Sequence, residues 1–178
     1  MTREELLERY AAGEREFSGV DLKEVDLSNV TLRHIILVRA NLQSCILSNA
    51  DLIDAQLMNI NLSGADLRGT RLSCDLSGAN LQGASLHNAK MWKVRLRGAN
   101  LSHANLSGAD MGQASLDGAD LSYANLQDAF LEEVLFDCDL SYTNLCGAIT
   151  TPNIDALFKP AILCNTIMPD GSIRNDDC

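Results

Sequence analysis

Aromatic residues make up 4% of this 178-residue chain and proline occurs three times, yet 46% of the residues are hydrophobic. That fraction is therefore carried by leucine and alanine, which suits a helical chain or a periodic one. Basic residues are also scarce: 14 Lys and Arg face 24 Asp and Glu, a net charge of −10. Neutralising phosphates needs a basic footprint, so direct nucleic-acid binding and anionic membrane surfaces are disfavoured. No apolar run approaches the roughly 18 residues that would span a bilayer. The N-terminal segment MTREELLERY lacks an apolar stretch and does not read as a secretory signal. The expected location is the cytoplasm; a chain already relieved of a signal would look the same, which leaves the periplasm or thylakoid lumen as the alternative. No HExxH, CxxC, GxSxG or phosphate-loop pattern occurs, so no catalytic, metal or cofactor residue is assigned.

What the chain does have is a period of five. From Leu22 every fifth residue to Leu72 is leucine, and after one step of four the series resumes at Leu76 and runs to Phe136. A second step of four leads to Leu140 and Leu145, making 26 centres, with Phe17 an earlier one. Two residues before each centre stands Ala fourteen times, Val or Ile seven times, Cys three times and Thr twice. The residue just before the centre is Asp or Asn in 15 cases, which makes that position polar and outward. Neither an α-helix, which repeats at 3.6, nor a strand, which repeats at two, keeps such leucines on one face. A chain that turns a corner every five residues does. One large and one small side chain then point inward per side, and four sides close a coil. Leu22, Leu42, Leu62, Leu81, Leu101 and Leu121 should stack as one ladder.

Ala65-Asp66-Leu67-Arg68-Gly69, Ala99-Asn100-Leu101-Ser102-His103 and Ala119-Asp120-Leu121-Ser122-Tyr123 resemble the A(D/N)LXX consensus of the pentapeptide-repeat family. The resemblance covers about residues 17–150 and implies an all-β solenoid, a right-handed quadrilateral β-helix whose coils each contact only their neighbours. At about 4.8 Å per coil the rod would be some 31 Å long. Residues 1–16 read as a capping helix, with Thr2 and Glu5 as a capping box and Gly13 as its end. Residues 151–178 read as a C-terminal cap and tail. Thr151-Pro152 should open a second short helix, with Leu157, Phe158, Ile162 and Leu163 covering the last coil. Met168-Pro169-Asp170-Gly171-Ser172 is a turn signal.

The tail from Cys164 resembles that of cyanobacterial and thylakoid-lumen members, and the resemblance implies a Cys164–Cys178 disulfide. Closing such a loop would stabilise by about 3 kcal/mol under oxidising conditions. Cys45, Cys74 and Cys138 fall on inward positions, whereas Cys146 should be an outward free thiol. The two four-residue steps, each carrying a Cys, read as tightened corners. His34, His87 and His103 lie on separated repeats and do not converge. The Asp/Asn series Asp21, Asn41, Asn61, Asn80, Asn100, Asp120 and Asp139 should hydrogen-bond corner backbone.

One region breaks the acidic trend. Arg33, Arg39, Arg71, Lys90, Lys93, Arg95 and Arg97 gather on two adjoining sides, and Trp92, Phe130 and Leu135 point outward where polar residues are usual. Trp92, Lys90, Lys93, Arg95, Arg97 and Phe130 form the candidate interaction surface. The expected function is a non-enzymatic structural or protein-interaction module, monomeric or weakly dimeric, needing no cofactor. The resemblance supplies an alternative, an acidic DNA mimic that binds DNA gyrase. The basic patch and the absence of an evident long C-terminal dimerisation helix depart from that pattern.

Overall fold

The computed structural model describes all residues except 133, 135, 136, 152–157 and 159. Helix α1 (Arg3–Ala11) opens the chain, and both hydrogen bonds of the Thr2–Glu5 capping box are formed. From Glu16 onward, parallel bridges join residues 20 positions apart, beginning with Glu16 to Ile36, Asp21 to Asn41, Asp26 to Ile46 and Thr31 to Asp51. Four sides of five residues therefore make each coil.

Side 1 stacks Leu22, Leu42, Leu62, Leu81, Leu101 and Leu121, side 2 begins at Leu27, side 3 at Leu32 and side 4 at Phe17; all of these residues are buried. Each side gives the next coil a repeating set of bonds. The Leu42 amide donates to the Asn61 carbonyl at 2.7 Å, Ser44 to Ser63 at 2.9 Å, and Asn61 donates back to Ala40 at 3.0 Å. Peptide groups that would be orphaned in an isolated turn are thus satisfied along the rod. Inside, the leucines and their small partners fill the coil. The threonines at small positions, Thr70 and Thr143, pay their desolvation by donating Oγ1 to the Leu47 carbonyl at 2.8 Å and the Leu121 carbonyl at 2.7 Å.

Each four-residue step shifts the spacing from 20 to 19. Gln56 pairs with Asp75 and Asn61 with Asn80, and at the second step Asp120 pairs with Asp139. Strands β1 (Phe130–Leu131) and β2 (Ile149–Thr150) continue side 3 as a parallel pair.

Past residue 150 the coil resumes. Asp139 bridges Ile162 and Asn144 bridges Ile167, a spacing of 23. Ala161 and Leu163, then Thr166 and Met168, occupy the inward positions and are buried, so two further repeats sit here. Ile162 is accordingly not a cap residue: it takes the outward place before Leu163 and is 48% exposed. Phe158 is buried, whereas residues 152–157, where the helix read from Thr151-Pro152 falls and Leu157 with it, lie outside the described residues. Strands β3 (Thr166–Ile167) and β4 (Ile173–Arg174) form an antiparallel hairpin that turns the tail back along this last coil. Leu163 and Asn165 donate their amides to Asp177 Oδ2 and Asn175 Oδ1, at 2.8 and 2.7 Å. Cys164 and Cys178 are joined by a disulfide that holds the tail there.

The other end is closed by α1. Leu6 is fully buried, the Arg3 guanidinium donates to the Asp26 and Ser28 carbonyls, and Tyr10 Oη donates to the Arg33 carbonyl at 3.0 Å. In the interior of the rod these carbonyl positions are served by the amides of the preceding coil. A sheet edge left open at this end would invite pairing with another chain.

Candidate functional site

Corners are where the sides differ. Among the described residues, the second residue after the centre takes a left-handed conformation at every five-residue corner, for example Asn59 at φ 56° and Lys93 at φ 59°. That conformation lets the chain turn and bond back, as when the Ile60 amide donates to the Leu57 carbonyl. The Asp or Asn before the centre steadies the corner. Asn61 Oδ1 accepts from the Ser63 amide at 3.2 Å and Asn100 Oδ1 from Ser102 at 2.9 Å. On side 1 the amides also link coil to coil, with Asn41 donating to Asp21 at 2.9 Å and Asn61 to Asn41 at 3.1 Å.

The step Leu72-Ser73-Cys74-Asp75-Leu76 omits this left-handed residue. Its corner is recessed between Asp54 and Met58 of the preceding coil and Trp92, Lys93 and Arg95 of the next, leaving an open groove of about 580 Å³. Complete corners on either side are bonded, Asp54 N–H to the Ser73 carbonyl at 3.1 Å and Lys93 N–H to the Gly112 carbonyl at 2.9 Å. At the recess itself the Gln56–Asp75 bridge still pairs the Asp75 amide with the Ala55 carbonyl, but the amide of Cys74 and the carbonyls of Leu72 and Trp92 have no backbone partner among the described residues.

Charge in and around the groove is uneven. Burial works against the Asp75 carboxylate, but hydrogen bonds from Ser77 and from Arg95, with the charge of Arg95, outweigh it and hold its pKa below the ordinary value. Asp51 is similar: 8% exposed, it is raised by burial but lowered more strongly by Arg33, the Ile53 amide and Arg71. Lys90, Lys93 and Arg97 make no ion pair among the described residues. Burial, the largest cause, pushes the Cys74 thiol up, out of the range of a reactive thiolate. Trp92 is 38% exposed and packs against Gly112, where a Cβ would stand 2.1 Å from its Cζ3. Phe130, half-buried, borders the same glycine.

A family model described as pentapeptide repeats matches the chain in eight copies over residues 35–73, 74–102, 99–137 and 114–149. The chain is a pentapeptide-repeat protein. Among solved structures this pentapeptide-repeat protein is similar to HetL, a protein involved in heterocyst differentiation regulation in Nostoc sp. strain PCC 7120. The identity is 32% over 98% of this chain and 100% of HetL, with a TM-score of 0.34. A pentapeptide-repeat protein of the Arabidopsis thaliana thylakoid lumen is 32% identical over 52% of this chain and 62% of its own, with a TM-score of 0.42. QnrB1, a plasmid-mediated fluoroquinolone resistance protein, is 18% identical over 81% and 94%, at 0.44. None of the curated proteins matches the chain.

Of the candidate surface residues in this pentapeptide-repeat protein, Trp92, Lys93 and Arg95 line the groove, and Phe130 shares the Gly112 neighbourhood with Trp92. Lys90 and Arg97 flank it on the same coil, and Leu135 lies outside the described residues. His34 faces Asp54 at 3.9 Å, while His87 touches Ser107 and Asn88. His103 belongs to a feature that the residue patterns did not suggest: its ring stacks on Tyr123, and Tyr123 on Tyr142, with centroids 4.9 and 4.6 Å apart. Their spacing of 20 and then 19 residues was the available signal. No group of three metal-ligating side chains converges among the described residues. The second short corner, at Cys138, is also recessed, but its groove of about 430 Å³ is lined by Asp120, Asp137 and Asp139. Cys146 is exposed and free, and among the described residues no helix is long and apolar enough to cross a membrane.

Proposed function

We propose that this protein is a non-enzymatic interaction module and that its partner, another protein, is met at the recessed corner of sides 3 and 4. One observation supports the reading above others: the inward positions are packed with side chains, while Trp92, Lys93 and Arg95 converge on an outer groove where the Cys74 amide and the Leu72 and Trp92 carbonyls are left without a backbone partner among the described residues. With its interior filled, such a rod acts through surface columns. The family supports the finer description of a right-handed quadrilateral β-helix over residues 17–150, capped by residues 1–16 and followed in residues 151–178 by two further repeats and the tail. The cytoplasm is the proposed compartment.

Capture of binding proteins from the native host tests the reading. Wild type should retain a partner that Trp92→Ala and Arg95→Glu lose, and identical partner sets would refute it. The net charge of −10 favours a second reading, an acidic mimic directed at DNA gyrase. Against it stands the engagement of side 1 acids and amides with one another and with corner amides. A supercoiling assay separates the two, since the interaction reading expects neither inhibition nor protection of gyrase.

A further inference from the structure

Building on that reading, we propose that the groove at Cys74 receives an extended acidic segment of the partner, with a carboxylate toward Lys93 and an apolar side chain on Trp92. Three independent features of the corner converge on this ligand. The first is the set of unpaired peptide groups. Removing the left-handed residue leaves a donor at Cys74 and acceptors at Leu72 and Trp92, all of which are bonded at complete corners. An extended peptide backbone carries both donors and acceptors and is the ordinary complement of such an interrupted ladder.

The second feature is charge. Arg33 and Arg71 share Asp51, and Arg95 holds Asp75, so these two acids are engaged. Lys90, Lys93 and Arg97 remain without an ion pair among the described residues, giving this corner an excess of positive charge in an acidic molecule. Asp54, on the opposite wall, repels a carboxylate and so directs it to the Lys93 side. A long polyanion would meet Asp54, Asp75 and the overall charge; a short acidic segment needs only the Lys93 wall. The third feature is the apolar surface of Trp92 with Met58 across the groove, which suits an aliphatic side chain flanked by the acids.

Trp92 is the single tryptophan, so its emission reports on the groove in the full chain. The probe is the synthetic peptide acetyl-Asp-Glu-Leu-Asp-Glu-Leu-amide, titrated at low salt. A saturable change in Trp92 emission is expected, weakening as salt rises. Lys93→Glu should weaken it by about tenfold or more, since it reverses a contacting charge. Inserting one glycine between Ser73 and Cys74 restores the five-residue step, keeps every charge and closes the recess; it too should weaken binding by about tenfold. Ser73→Phe, which fills the groove without lengthening the chain, provides the same test should the insertion disturb folding. Lys23→Glu, on another side, should leave binding unchanged. The proposal is overturned by an unchanged emission at millimolar peptide. Full binding to folded glycine-insertion or Ser73→Phe protein, or tighter binding of a short duplex oligonucleotide than of the peptide, overturns it too. Partner capture that depends on Arg95, alongside silence toward the acidic peptide, would refute this ligand while leaving the interaction reading standing.

Discussion

Replacing Ala104 with leucine places three additional carbons where the coil has no room for them. Ala104 is buried on side 2, with Ala84 and Ala124 at the same position in the adjoining coils. Overpacking a filled core costs about 1–3 kcal/mol. Here relief would require neighbouring coils to part, and two bonds beside the site hold them together: Asn105 N–H to the Ala84 carbonyl and Asn125 N–H to the Ala104 carbonyl, both 2.9 Å. Weakening these adds up to about 1 kcal/mol each, so a loss of about 3 kcal/mol is a reasonable centre. For a chain of this length that corresponds to a fall of about 6–12 °C in the melting midpoint. The measurement is thermal and urea unfolding followed by circular dichroism, with Gln127→Leu as the control. Gln127 stands exposed outside the coil on the same side, and its substitution should stay within about 0.5 kcal/mol. Equal stability of Ala104→Leu and wild type would refute the close-packed interior.

Gly112→Val should lift the Trp92 ring from its seat, seen as a red-shifted emission and faster quenching by iodide. Cys146 should be the one rapidly labelled free thiol under native conditions. Burial raises the other three, Cys45 to about 12, so they should react only on unfolding. Because the Asp51 carboxyl is held below its ordinary pKa, its contribution is present above pH ~4 and is lost as pH falls through its folded value. Asp51→Asn should therefore flatten the loss of stability on acidification, as read by urea midpoints across that range. Cys178→Ser should cost about 3 kcal/mol by the loop-closure argument and accelerate hydrogen exchange at the Leu163 and Asn165 amides, with coils distant from the tail unchanged.

The inward residues were legible because each belongs to one phase of a short period, which makes local sequence and global fold coincide. Beyond residue 150 that phase is interrupted, and Ile162 then reads as a capping apolar residue although it stands just before an inward Leu163. The alternation of Ala161 with Leu163 and Thr166 with Met168 carried the correct phase, but only the pairing of Asp139 with Ile162 reveals it. The short step at Cys74 was visible as a missing residue, whereas the groove was not. Its walls come from Asp54 and Lys93, 20 residues before and 19 after Cys74, so it exists only once the coils are stacked. Trp92 and Gly112 are likewise 20 residues apart, so the glycine that makes room for the ring is a neighbour in the rod but not along the chain.

The distance between spin labels at residues 24 and 123 tests the stacked-coil account most directly, in protein with Cys146 replaced by serine. These are corner positions of side 1, separated by five coils along the bridges from Asp21 to Asp120. At about 4.8 Å per coil they should give one narrow distribution centred near 24 Å. A broad distribution, or a centre well beyond about 30 Å, would contradict it.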